Sequence, residues 1–75
     1  METIEIHTPF IKLDQLLKLS GVALSGGEAK MMIADGIVSV NDLQAHERGK
    51  KIYPGDYIAV QGTDEVISLL IKKAE

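Results

Sequence analysis

The sequence contains no cysteine and no tryptophan, and it has only two tyrosines and one phenylalanine. Without cysteine, neither a disulfide framework nor a thiolate zinc site can stabilise the chain, and a reducing compartment, the cytoplasm, is the expected location. No uncharged stretch approaches the roughly 20 apolar residues that span a bilayer, so we expect no membrane partner. The N-terminal segment has glutamates and no lysine or arginine before Lys12, which is the wrong charge for a signal peptide.

The chain does contain enough apolar material for one core, because 45% of its 75 residues are hydrophobic. Disordered chains combine low hydrophobicity with high charge, so this composition predicts a folded protein, and the length predicts a single domain over residues 1–75. Eight basic and eleven acidic residues give a net charge of −3. Because an acidic chain as a whole repels phosphates, nucleic-acid binding would require a local basic patch.

Residue types that perform catalysis are scarce. The chain has two histidines, His7 and His46, and its carboxylates are spread along the sequence without the spacing of metal ligands. A lone surface histidine is usually a solvated side chain. We therefore expect no enzyme activity, no metal site and no cofactor.

The first half of the chain predicts a strand followed by two short helices. Residues 3–7 alternate apolar and polar side chains, as in a half-buried strand. Apolar residues with helical spacing predict a first helix over about residues 12–20, with a glycine to end it. Ser25 and Glu28 then fit a capping box, in which each side chain accepts a hydrogen bond from the other residue's amide. A second helix is therefore predicted to begin at Ser25 and to end near Asp35.

The second half predicts mainly strands. Three runs are rich in β-branched or aromatic residues, at 37–40, 52–53 and 57–60. Residues 53–56 place proline and glycine at the centre of a type II turn, and the polar segment 44–51 predicts an exposed loop. Residues 64–75 fit two structures. A helical apolar stripe with acidic and basic ends favours a helix, and a buried strand over 66–71 is the alternative.

Two features could bind phosphate. Residues 48–51 place three cations within four positions, although most charge runs are solvated faces. Ser25, Gly26 and Gly27 precede a helix, where bare glycines let a phosphate approach free backbone amides; a simple helix cap explains the same residues equally well. The three aromatic residues lie within apolar runs, so packing in the core or the sheet is favoured over stacking on bases.

The order of several short motifs resembles the S-four RNA-binding domain, which is named after the fourth protein of the small ribosomal subunit. These motifs are Ile11-Lys12-Leu13-Asp14, Ser25-x-x-Glu28-Ala29-Lys30, Ile33-x-x-Gly36-x-Val38-x-Val40-Asn41 and Gly55-Asp56. Small stand-alone bacterial proteins of the YaaA/YbcJ type are similar in the motifs Leu16-Leu17-Lys18, Ser25-Gly26-Gly27-x-Ala29-Lys30 and Arg48-Gly49-x-Lys51-x-x-x-Gly55-Asp56. The resemblance covers about residues 10–61.

The resemblance implies an α+β fold with the alpha-L motif, in which a helix hairpin packs on a small, mostly antiparallel sheet. It also implies an RNA-binding surface, whose counterparts in this chain are Lys12, Ser25, Gly26, Gly27, Lys30, Arg48, Lys50 and Lys51. The chain departs from the family pattern in having Gly26 where many members have arginine, and Asp42 where a turn glycine is usual.

The expected partner is structured RNA, either ribosomal or transfer RNA, recognised by shape and backbone contacts. Similar domains accompany pseudouridine synthases and tyrosyl-tRNA synthetases, where another domain performs the chemistry. The resemblance therefore implies a ribosome-associated or assembly factor, or a protein that recruits an RNA-modifying enzyme. The alternative is a protein interaction module that does not bind nucleic acid, which the acidic net charge favours.

Overall fold

Two helices lie between an N-terminal pair of strands and a C-terminal group of five in the computed structural model, which describes residues 1–75. The elements are β1 (Glu2–Ile6), β2 (Ile11–Lys12), α1 (Leu13–Leu19), α2 (Gly26–Ala34), β3 (Val38–Val40), β4 (Leu43–Gln44), β5 (Lys51–Ile52), β6 (Tyr57–Gln61) and β7 (Val66–Lys73). The predicted elements up to residue 60 are thus confirmed, with bounds shifted by a residue or two. The two-residue strands β2 and β4 were not predicted, because two residues are too short to show periodicity.

The main sheet has five strands in the order β1-β7-β6-β3-β4. All neighbouring pairs are antiparallel except β1 and β7, which are parallel. A separate two-stranded antiparallel ladder joins β2 to β5. Helices on a mostly antiparallel sheet confirm the predicted α+β class.

Residues 66–73 form a strand, so the favoured prediction of a helix over 64–75 is wrong. This strand, β7, pairs with β1 on one side and β6 on the other, which satisfies its backbone groups. Leu69 and Ile71 are buried while Leu70 between them is 36% exposed, the alternation of a strand. The apolar residues of this segment fit the spacing of a helix and also that of a strand. Pairing with two strands that are distant in sequence favours the strand.

The helices begin and end where the sequence predicts. α1 buries Leu13, Leu16 and Leu17, and Gly21 follows it with φ +80, a left-handed conformation that glycine adopts without strain. At the start of α2, the amide of Glu28 donates to Ser25 Oγ at 3.1 Å. Only this half of the predicted capping box forms.

The core consists of 15 buried residues, all of them apolar. It includes the three buried leucines of α1 together with Ala29 and Ile33 of α2, packed against the inward-facing residues of the strands. No buried polar side-chain atom lacks a hydrogen-bond partner. The core therefore contains no polar group that would suggest an internal site.

Candidate nucleic-acid interface

Two lysines lie side by side in the small ladder. Lys12 of β2 is directly opposite Lys51 of β5, and Ile11 is opposite Ile52 in the next position. Residues directly opposite in an antiparallel ladder point to the same face. Since Ile52 is buried and both lysines are exposed, the isoleucines cover the core and the lysines face solvent together.

The rest of the predicted basic segment is attached to the start of α1. The first amides of a helix have no partner within the helix, and Lys12 at the N-cap makes no side-chain capping bond. Instead, the amide of Leu13 donates to the carbonyl of Lys50 at 2.9 Å, and that of Asp14 donates to the carbonyl of Arg48 at 3.0 Å. The structure thus brings the backbones of Lys12, Arg48, Lys50 and Lys51 together, and we call these four residues the basic cluster.

A side-chain network holds the turn that follows the basic cluster. Asn41 donates to Asp56 Oδ1 at 3.0 Å and accepts from the amide of Tyr57 at 2.9 Å. Asp56 Oδ2 accepts from the amide of Tyr53 at 2.8 Å, and the amide of Asp56 donates to the carbonyl of Tyr53. Gly55 has φ +96, as the third position of the predicted type II turn requires. Asn41 and Asp56 in the sequence motif therefore have a structural role.

A groove runs beside this turn. It has a volume of about 470 Å³ and is lined by residues from the segments 40–47 and 50–56. Lys50 and Lys51 of the basic cluster line it, together with His46, Glu47 and Tyr53. The predicted exposed loop 44–51 thus forms much of its wall, and the buried Ala45 anchors that loop to the core.

The prediction that all three aromatic residues pack in the core or the sheet is wrong for Tyr53. Tyr57 is half-buried and its hydroxyl is 3.0 Å from Ser68 Oγ, and Phe10 is also half-buried. Tyr53 is 48% exposed, and its ring lies 5.9 Å from that of Phe10. Lys51 Nζ is 5.0 Å from the centre of the Phe10 ring. The sequence does not distinguish the two cases, because an exposed aromatic within an apolar run has the same pattern as a buried one.

The remaining predicted binding residues lie at the second helix. Ser25 caps α2, Gly26 and Gly27 are its first two residues, and Lys30 is exposed on it. A side chain added at Gly26 would meet no atom within 4 Å, and one at Gly27 only Ser25 Oγ at 3.8 Å. Neither glycine is therefore required by packing. The backbone carbonyls of Arg48 and Lys50 bond to α1 and do not connect the basic cluster to α2. An RNA-binding role for Ser25, Gly26, Gly27 and Lys30 therefore stays a prediction.

Nothing in the arrangement of acidic and histidine side chains resembles a metal site, since no group of three or more is placed to hold an ion. Neither helix has the length and apolar character needed to cross a membrane.

Comparisons with known proteins identify the fold and the family. A family model described as S4 domain matches residues 4–68, which include the basic cluster and both helices. The chain therefore belongs to the S4 (S-four) domain family, as the motifs predict. The match also contains the end of β1 and the start of β7, which lie outside the resemblance stated from sequence.

Two similar proteins support this assignment. The chain is 44% identical over 59 residues to a probable ribosome maturation protein, RlbA, of Bacillus subtilis, and the match covers 79% of this chain and 83% of that protein. The fold is similar to that in a trimeric structure of heat shock protein 15 from Vibrio cholerae, with a TM-score of 0.75 and 21% identity. That alignment covers 88% of this chain and 66% of the other. At this identity, the likeness to heat shock protein 15 concerns the fold.

Proposed function

We propose that this protein binds structured RNA, ribosomal or transfer RNA, through the basic cluster, and that it acts in the cytoplasm as a ribosome-associated or assembly factor. Membership of the S4 domain family and the likeness to a probable ribosome maturation protein support this function. Binding without catalysis fits the residues present. A contribution from the start of α2 and Lys30 follows from the family resemblance.

The observation that carries the proposal is the placement of Lys12 opposite Lys51. Four of the eight basic residues of an acidic chain lie in the two backbone segments that are joined at this pair. Like charges directly opposite in a ladder destabilise a sheet, so the arrangement is unfavourable unless an anion lies between or above them. A phosphate backbone supplies such an anion.

The rigid attachment of the cluster suits recognition of a folded RNA. The carbonyls of Arg48 and Lys50 are bonded to α1, so the backbone that carries these cations is fixed before RNA arrives. Double-stranded RNA is recognised mostly by its shape and by contacts to phosphates and 2′-hydroxyls. Few cations in an acidic chain predict modest affinity that falls steeply as salt rises, because each phosphate contact releases a counterion.

The test is fluorescence anisotropy with labelled transfer RNA and a labelled ribosomal RNA helix, at about 50 and 200 mM salt. Lys50→Glu with Lys51→Glu should weaken binding at least about tenfold at the lower salt. The matched control is Lys72→Glu with Lys73→Glu, a second exposed pair of lysines whose reversal changes the net charge equally. Equal losses in both variants would mean that only net charge matters, and no binding at low salt would show the RNA proposal to be wrong.

A protein partner is the second candidate function, and the helix hairpin supplies the observation for it. Leu19, Leu24 and Met31 are large apolar side chains on or beside the two helices, and they are 61%, 86% and 66% exposed. If these side chains bind a ribosomal protein or an RNA-modifying enzyme, Leu24→Ser with Met31→Ser should abolish that contact. RNA binding through the basic cluster should remain unchanged in the same variant.

A further inference from the structure

The groove beside the basic cluster differs from a surface that binds only phosphates. Its volume of about 470 Å³ lies within the range of about 300 to 1,000 Å³ that is usual for small-molecule sites. Lys50 and Lys51 supply positive charge to its lining, and Leu43, which also lines it, is 74% exposed. Apolar surface and cations within one groove suit a ligand that has both a flat apolar part and a negative charge.

Tyr53 provides the flat surface in this groove. Its ring centre lies 5.9 Å from that of Phe10, and the residue remains 48% exposed, so a ligand can reach it. Its backbone amide and carbonyl are both hydrogen-bonded to Asp56. The backbone that carries the ring is therefore ordered before a ligand binds, which lowers the entropic cost of binding.

We propose that the groove binds one unpaired nucleotide of the RNA, with its base stacked on Tyr53 and its phosphate at Lys50 and Lys51. This inference rests on the proposed RNA-binding function. Aromatic side chains bind unstacked bases readily, because every base has a π-face. Leu43 also lines the groove and offers apolar surface to the base.

The geometry restricts the occupant to a base outside a double helix. Paired bases in A-form RNA are stacked within the helix, whereas bases in loops, bulges and ends can be splayed out. The groove adjoins the basic cluster, so an RNA helix held by the cluster can place a neighbouring bulge at Tyr53. Glu47 also lines the groove, and its carboxylate favours the amino groups of a base over a second phosphate.

The experiment compares two RNA stems that differ only in one bulged 2-aminopurine. The wild-type protein should bind the bulged stem about tenfold more tightly than the paired stem and quench the 2-aminopurine fluorescence. Tyr53→Leu should weaken binding to the bulged stem by about 5- to 10-fold, which removes most of the preference, and leave binding to the paired stem unchanged. Tyr53→Phe keeps the ring and should stay within about twofold of the wild type.

The outcomes separate this inference from the proposed function. Equal affinity for the two stems, or an equal loss on both in Tyr53→Leu, would overturn the nucleotide site while RNA binding by the basic cluster stands. No binding to either stem would overturn both proposals. Free adenosine monophosphate serves as the competitor, and if it binds as tightly as the bulged stem, the groove is a site for free nucleotides and the RNA assignment is wrong.

Discussion

Lys12 and Lys51 face each other across the β2–β5 ladder, with their side chains on the solvent side. A further feature makes this position unfavourable for Lys12. It is the N-cap of α1, where the positive end of the helix dipole repels a cation. Lys12 thus weakens the fold through repulsion from Lys51 and from the helix end. A negatively charged ligand best explains a lysine at this position.

The first prediction concerns the balance between stability and binding at Lys12. Lys12→Gln removes the repulsion from Lys51 and from the helix end, so the free energy of unfolding should rise by about 0.5 kcal/mol. RNA binding should weaken, and the slope of log K against log salt should become less steep by about 1. Urea unfolding and a salt titration measure the two effects. A stability loss in this variant would contradict the argument, because Lys12 would then be a structural residue.

The second prediction concerns the network that holds the turn beside the groove. Asn41→Ala removes two side-chain hydrogen bonds, to Asp56 Oδ1 and from the amide of Tyr57, and should cost about 1 to 3 kcal/mol of stability. Asp56→Ala should cost a similar amount.

Because the two residues share one bond, the double variant should be less destabilised than the sum of the single variants by at least about 0.5 kcal/mol. Urea unfolding of the four proteins gives this coupling energy. Additive losses would show that the bond between Asn41 and Asp56 contributes nothing to stability.

The third prediction concerns the turn between β3 and β4. Asn41 and Asp42 both have positive φ, at 50 and 69, so the pair forms the two-residue hairpin turn that Asn-Gly prefers. A left-handed conformation costs a non-glycine residue about 1 kcal/mol or more. Asp42→Gly should therefore stabilise the protein by about 0.5 to 1 kcal/mol in thermal or urea unfolding. Asp42→Ala, which keeps the strain, is the control and should give no such gain.

Sequence patterns predicted the parts of this fold that depend on neighbours along the chain. Ser25 and Gly21 mark helix ends by local hydrogen bonds and local φ, and the turn ending at Asp56 follows from its proline and glycine. The features that the sequence did not predict depend on contacts between residues that are far apart in the chain. The ladder that places Lys12 opposite Lys51 has only two residues in each strand, and the exposure of Tyr53 depends on a loop that leaves one face of it open.

The last prediction tests the segment in which two periodicities competed. In the structure Leu69 of β7 is buried and Leu70 is 36% exposed, whereas the helical stripe would bury Leu70 and expose Leu69. Leu69→Ala should cost about 2 to 5 kcal/mol, because it leaves a cavity between β7 and the core. Leu70→Ala should cost about 1 kcal/mol or less, since much of its surface already contacts water. Urea unfolding of the two variants measures the difference, and a larger loss at Leu70 would show that residues 66–73 form a helix.

The position of β7 bears on RNA binding as well, because Ile71 of this strand supports the turn that carries Tyr53. The carbonyl of Ile71 accepts from the amide of Gly55 at 2.7 Å, and its amide donates to the carbonyl of Asp56 at 3.0 Å. Leu69→Ala should therefore loosen this turn and weaken binding of the bulged stem more than binding of the paired stem.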